Sequence, residues 1–497
     1  MNSARRRSII LTLALIGLTL TSAGLPARAA GQRCKGVQAD PAVDLQAVLD
    51  RSPEGSVICL APGLYRPGAP LHPKQGQTLI GSTKVVISGA RVVEGFGREG
   101  SDFVASAPLP EAASTYGECS RPGCSISQDV YVDGVPLVRA LSRDQLGSGR
   151  FFQDFSQKRL YLRDDPAGHL VEQAFLPAVF EASGPAVTVS DLVVEKAATE
   201  AQRAAVTGGV GWRIEHLEVR YSHGVGITCA DHCTARGNYV HHNGELGVGG
   251  SGGSDALYEA NEIAFNSLAG YDTAWEAGGG KWTQLKNLVV RNNYVHDNRG
   301  PGLWTDINAD QVTFADNYVS RNSHMGIFHE ISYAATISGN TVVGNGFDPS
   351  LDRDGWGGAG IRVAASPGVR ISENTVAGNR NGIVAVQQDR HDSPDDRGPH
   401  RIKGLEVRSN SITMNRGTTG FVQDIGDGGV FSAASRNVFA TNRYHLDSLS
   451  SLRFAWNDRM YSAREWVNDG NDKDGTFDTA APPDPAPPKL AVGPRAD

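Results

Sequence analysis

Asn293-Tyr-Val-His-Asp-Asn298, Asn317-Tyr-Val-Ser-Arg-Asn322 and Asn340-Thr-Val-Val-Gly-Asn345 are copies of one phrase, set 24 and 23 residues apart. The phrase is Asn, four residues, Asn. It starts at Asn238, Asn261, Asn293, Asn317, Asn340, Asn374, Asn410 and Asn437, with steps of 23, 32, 24, 23, 34, 36 and 27 residues. A base period near 23 with occasional longer steps is the pattern of a solenoid whose coils each add a rung to stacked parallel sheets. The runs between turns are short and rich in Val, Ile and Thr, which favours strands over helical repeats. Stacked Asn side chains are expected to hold left-handed turns by bonding neighbouring backbone. The expected fold is all-β, a parallel β-helix.

The three longest steps exceed the base coil by about 9, 11 and 13 residues, and fall at 271–282, 347–356 and 387–397. Solenoid insertions gather on one face, often the binding face. These are polar and the first two carry Trp275, Trp282 and Trp356, which suits the walls of a carbohydrate cleft.

Outward from the repeat, residues 30–99 read as an N-terminal cap and first coils. An amphipathic stretch, Val43 to Asp50, precedes a strand and a Pro-Gly turn at 62–63. A solenoid needs such cover over its first open coil. The repeat is interrupted over 100–180, where Asp129–Arg139 and Lys158–Asp165 read as hairpins with turns at Asp133-Gly134 and 164–168. This predicts a small β module inserted into the solenoid. Coils continue over 181–450. A short helix near Tyr461–Val467 is expected to cap the end within 451–479, and the Pro/Ala-rich stretch 480–497 is expected to be disordered.

Arg5-Arg6-Arg7, the run Ile9 to Leu20 and Ala27-Arg28-Ala29 form an export signal over 1–29. That run is short for a membrane span, so a secreted protein without a membrane partner is expected. A net charge of −7 gives no reason to expect nucleic acid. Six Cys allow 15 pairings; local spacing suggests Cys119–Cys124 and Cys229–Cys233, leaving Cys34–Cys59. An oxidising compartment favours such bridges. No Cys or His cluster has zinc spacing, and Asp352–Asp354 lack the EF-hand order. No metal or cofactor is assigned, and the oligomeric state stays open.

Two strings one coil apart carry the chemistry: Gly302-Leu303-Trp304-Thr305-Asp306 and Gly326-Ile327-Phe328-His329-Glu330. Asp306 lies 13 residues after Asn293, and Glu330 lies 13 after Asn317, so both hold the same position in consecutive coils. Adjacent strands are about 4.8 Å apart, which places the carboxyls roughly 5 Å apart. That is the spacing of a retaining glycosidase, in which one carboxylate attacks the anomeric carbon and the other protonates the leaving oxygen. Two carboxylates so close resist joint ionisation, and one pKa should rise, as a general acid requires. A surface carboxylate pair, or one that holds calcium, is the plainer alternative.

Counted from the shared Gly, the second position is Trp304, Phe328 and Arg362, and it shares a strand face with the fourth, Asp306 and Glu330. The aromatic stripe offers a sugar a stacking surface, or packs beneath the inserted loops. Leu303, Ile327 and Ile361 should point inward. Glu276, Lys281, Trp282, Trp275 and Trp356 are expected substrate ligands. His329 is a further ligand candidate, although alternation makes it equally a satisfied core histidine.

In these two motifs the chain resembles the β-helical glycoside hydrolases of the family 120 β-xylosidase type. The resemblance implies a right-handed parallel β-helix with a small β-sandwich inserted near the N-terminal side. It implies Asp306 as nucleophile and Glu330 as acid/base of a secreted retaining glycosidase. It covers most of 35–470 in layout but only the two strings in sequence, so sugar specificity is not carried over. Two other readings stand beside it: a polysaccharide lyase or epimerase on the same fold, and a non-catalytic glycan-binding surface protein.

Overall fold

The computed structural model describes residues 34–107, 109, 115–349, 351, 356–390 and 397–495. The expected export signal, Asp352 and Asp354 lie outside these residues. Three long sheets of 13, 13 and 11 strands form the solenoid, one strand of each coil going to each sheet. One coil supplies Val289–Arg291, Tyr294–His296 and Leu303–Asp306; the next supplies Val312–Ala315, Tyr318–Ser320 and Ile327–Glu330. Pairing is parallel and in register, Val290 with Phe314, Val295 with Val319 and Leu303 with Ile327. These residues are fully buried, so the core is a set of apolar columns along the axis.

The Asn phrase forms two hydrogen-bonded ladders at the corners. The backbone N and the Nδ2 of Asn293 both donate to Asn317 Oδ1, at 3.0 and 2.9 Å. The residue before each ladder Asn is left-handed, with φ of 56° at Asn292, 55° at Asp316 and 59° at Glu373. The Asn holds that turn from one side, Asn293 Nδ2 reaching back to Arg291 O at 3.0 Å. The last expected register needs correction. Asn410 passes its bonds to Asn442, not to Asn437. Asn437 sits at another corner, accepting from Leu405 N at 2.9 Å. The ladder ends on Asp472, which accepts from Asn442 N and Nδ2.

The inserted module starts at Ala90 rather than 100, because Ala90–Val92 pairs antiparallel with Val171–Ala174. Its two small sheets of four and five strands enclose Val93, Phe151, Leu160, Leu162 and Val171. Both expected caps are helices. Leu45–Arg51 starts at Asp44, whose side chain accepts from Ala47 N, and buries Leu45, Val48 and Leu49. Ala463–Asn468 starts with a Ser462/Glu465 capping box and buries Trp466. Cys119–Cys124 and Cys229–Cys233 are bridged, and Cys34 and Cys59 are disulfide-bonded.

The expected disordered tail is, over 480–495, an extended strap on the second sheet. Pro485 O accepts from Tyr318 Oη at 2.7 Å and Gly493 N donates to Gly237 O at 2.7 Å. Arg495 pairs with Glu262 and lies 4.7 Å over the Tyr239 ring. Proline forbids a ladder of its own, but the carbonyls between prolines still accept from the solenoid.

Candidate active site

Strand alternation decides what leaves the third sheet. Leu303 and Thr305 are fully buried in the interior, so Trp304 and Asp306 emerge together on the outer face. The register aligns Lys281, Trp304, Phe328 and Arg362 in one outer column. Thr305 pairs with His329, and Asp306 and Glu330 come next on these two strands, which as neighbours in one sheet run about 4.8 Å apart. Glycine opens both strands for steric reasons. A Cβ on Gly302 would meet Gly326 O at 2.6 Å and Asn322 Nδ2 at 2.8 Å.

The chain turns sharply after each carboxylate. Ile307 and Ile331 have φ of 44° and 33°, left-handed values that β-branched residues rarely adopt. Such strain costs on the order of 1–3 kcal/mol per residue and gathers at functional sites. Ile307 N donates to Asp306 Oδ1 at 2.8 Å, which fixes that carboxylate at the sheet edge.

The two carboxylates have unlike surroundings. Lys281 Nζ stands 3.0 Å from Asp306 Oδ2 and supplies its counter-charge. Glu330 is buried, and burial together with the Asp306 charge pushes its pKa up to about 7, against the pull of Arg390, Arg362 and Lys281. Arg390 Nη2 lies 3.3 Å from Glu330 Oε1.

Lys281 was expected to bind substrate, but protein groups occupy its donors. Besides Asp306 it reaches Trp275 O at 2.6 Å and Glu276 Oε1 at 3.5 Å. It also lies 3.6 Å over the Trp304 ring. Trp304 stacks on Phe328 at 5.5 Å, and Arg362 covers the far face of the pair at 5.3 Å. The two rings are 3% and 5% exposed, so the expected open stacking surface is filled. Two aromatic rings between two cations make a rigid floor beside the carboxylates.

Two further expected ligands face the core. Trp282 is fully buried against Tyr258 and Phe314, because its neighbour Lys281 takes the outer face. His329 is fully buried, donates from Nε2 to Tyr333 O at 2.7 Å and accepts from Thr305 Oγ1 at Nδ1, also at 2.7 Å. Burial lowers its pKa to about 4, so the ring is neutral. Trp356 is half-buried and packs against the apolar cluster of Ala359, Val384, Val386, Val422 and Ala455.

Glu276 does reach the site. It is buried, its pKa is raised by burial, and Gln202 Nε2 donates to it at 3.0 Å. The Gln202 backbone N–H donates to Glu245 Oε2 at 2.8 Å. Glu245 is wholly buried, its pKa is raised well above the usual range, and its Oε1 has no hydrogen-bond partner among the described residues. Sequence reasoning missed Glu245, Gln202 and Arg390 as site residues. Arg390 lay within a recognised insertion; nothing in the repeat pointed to the other two. The insertion bearing Glu276 is braced by the Cys119–Cys124 loop, whose Ser120 and Arg121 amides donate to Gly270 O at 3.0 Å.

Comparisons with known proteins agree with this architecture. A family profile described as a right handed beta helix region matches residues 204–355. The structure of XylC in complex with xylose aligns with a TM-score of 0.66 at 15% identity, over 89% of this chain and 83% of that one. This chain's solenoid is a right-handed parallel β-helix. The A-module of the Azotobacter vinelandii mannuronan C-5 epimerase AlgE6 aligns with a TM-score of 0.45 at 16% identity, over 88% and 94%. A mannuronic acid specific polysaccharide family 6 lyase from human gut microbiota gives 0.42 at 12%, over 87% and 93%. Curated protein sequences give no match.

Proposed function

We propose that this protein is an exported glycoside hydrolase that works with retention of configuration. One observation carries the reading: Asp306 and Glu330 leave adjacent rungs of one sheet face, Asp306 with an ammonium at 3.0 Å and Glu330 with its pKa pushed up to about 7. Unlike environments for paired carboxyls are what separates a nucleophile from a general acid. The carbohydrate character is supported by the xylose complex of XylC, a protein of the same fold. Export is supported by the disulfides.

In the first step an Asp306 carboxylate oxygen bonds to the anomeric carbon as the C–O bond to the leaving group breaks. Glu330 gives its proton to the departing oxygen. In the second step ionised Glu330 takes a proton from water, and that water displaces Asp306. Configuration inverts twice and is retained. Lys281 holds Asp306 in place, and the Trp304–Phe328 floor keeps the column rigid.

Glu330→Ala should abolish hydrolysis of substrates with poor leaving groups and spare activated aryl glycosides, with azide restoring turnover. Proton NMR of the first-formed product should show the substrate's anomeric configuration. Full activity of Glu330→Ala on natural glycans, or an inverted product, would overturn the mechanism. An unsaturated product absorbing near 235 nm would point instead to lyase chemistry.

A further inference from the structure

A loop of the inserted module, residues 115–128, crosses to the solenoid just before the strand Val130–Val132. Its base is fixed. Arg139 Nη2 donates to Ile126 O at 3.1 Å and to Gln128 O at 2.7 Å. Cys124 is buried with Ala201 and Tyr271, and its carbonyl accepts from His223 Nε2 at 2.6 Å. The tip is different: Tyr116, Glu118, Cys119, Ser120 and Arg121 are exposed. The Cys119–Cys124 bridge ties this tip covalently to the buried base.

The tip grips the solenoid over 268–276. Arg121 Nη2 donates to Leu268 O and Ala269 O at 2.5 and 2.7 Å. Glu118 O accepts from Asp272 N at 2.9 Å. Tyr116 meets the Trp275 ring edge-on at 5.9 Å and donates from Oη to Gln202 Oε1 at 2.7 Å. Gln202 in turn donates from Nε2 to Glu276 Oε1 at 3.0 Å. Between the strands Glu262–Ala264 and Gly278–Thr283 this stretch has one bridge, Tyr271 with Cys119, and the loop itself supplies the partner. Its place is therefore set largely by what lies on it.

Two of the three partners of Lys281 sit at the end of that stretch: Trp275 O at 2.6 Å and Glu276 Oε1 at 3.5 Å, the third being Asp306 Oδ2 at 3.0 Å. An ammonium has three donors on a flexible stem, so its acceptors decide where it points. With all three engaged, Lys281 acts on the reaction through Asp306. Resting on the retaining reading, we infer that the Cys119–Cys124 loop positions the nucleophile. It holds 268–276, that stretch holds Lys281, and Lys281 holds the Asp306 carboxylate. Arg121 and the disulfide are positioning residues that touch no substrate.

The test compares the parent chain with Arg121→Ala and with Cys119→Ser/Cys124→Ser. Both should lower kcat on a glycoside with a poor leaving group, the double variant by about tenfold or more. KM should stay unchanged, because ground-state contacts to the sugar are not removed. In a Lys281→Met background the same substitutions should cost little further, since they act through Lys281. Hydrogen exchange should quicken over 268–283 and stay as it was in Ile327–Glu330. Arg121→Ala leaves every disulfide in place and decides the matter if the serine variant does not fold, as judged by its thermal transition. Unaltered kcat, a loss carried by KM, or losses that add in full to that of Lys281→Met would each overturn the inference and leave the retaining mechanism standing. Unquickened exchange over 268–283 overturns it as well. Quickened exchange there, in a parent protein that cleaves no glycoside, keeps the positioning loop and sinks the hydrolytic reading.

Discussion

Glu330 is where protonation and folding meet. Its pKa is about 7 in the folded chain against 4.5 for an ordinary glutamate. The folded state therefore holds the proton more tightly between those values. The stability gained from it is complete below pH 4.5 and is lost as pH rises to about 7. Glutamine carries no titrating proton. Glu330→Gln should gain on the parent protein by up to about 3 kcal/mol between pH 4.5 and 8. Guanidinium unfolding at both pH values reads this directly, and a constant difference would contradict it. The acid limb of catalysis should fail over the same range, with kcat for poor leaving groups falling above pH 7. His329 has the opposite sign. Its pKa is about 4 in the fold against 6.5 unfolded, so its contribution is present above pH 6.5 and lost as pH falls to 4.

At the scale of the element, the Asn ladder is the unit of stability. Asn374 accepts from Asn340 N and Nδ2 and donates to Asn410 Oδ1 and Ile337 O, all at 2.9 Å and all buried. Asn374→Ala orphans several of these groups, each worth about 1–3 kcal/mol when buried. A loss of roughly 4 kcal/mol is expected. Asn437 is only half-buried and lies off the ladder, so Asn437→Ala should cost less than half as much in the same denaturant titration. Equal losses would mean that the corners are equivalent.

That contrast also shows how far the sequence was legible. A coil repeated with one spacing exposes its register, and the register placed Leu303 on Ile327 and Trp304 on Phe328. It failed at Asn437 because Asn also serves other corners, so one chance recurrence imitated the ladder. It failed at Trp282 for a different reason, whereas at His329 alternation had left the core position open and that is the position taken. Alternation gives each strand two faces, and inside an insertion no repeat says which face a residue takes. Burial of Trp304 and Phe328 was one of two readings, but its agents were hidden because Lys281 and Arg362 reach the rings from rungs 23 and 34 residues away. The Gln202 and Glu245 contacts with the site are likewise products of tertiary packing.

For the whole molecule, stability comes from closing a one-dimensional stack: a helix at each end, a small sandwich near the start and a strap along one side. The strap lies on the second sheet, while the carboxylates leave the third. Removing residues 479–497 should leave the circular dichroism spectrum and glycosidase kinetics unchanged. Hydrogen exchange should quicken in peptides covering Gly237–Tyr239 and Tyr318, where the strap is tied. Unchanged exchange there would show that the strap is not seated in solution. The three small-residue coils before Lys281, at Thr207, Thr228 and Gly249, and the filled ones after it give the third sheet a directional surface.

The Asn ladder is directional too. In every rung the amide oxygen faces the N-terminal neighbour and the amide nitrogen faces the C-terminal one. Aligned dipoles of this kind polarise one another and add, leaving the far end of the row partially positive. A further Asn there would present an amino group in need of another coil. Asp472 accepts from Asn442 and has no N–H to pass on, and its second oxygen is closed by Tyr444 Oη at 2.7 Å and Trp466 Nε1 at 3.1 Å. One amide nitrogen exchanged for a carboxylate oxygen puts a negative charge on the positive end of the row and writes a stop into a structure that would otherwise invite its own extension.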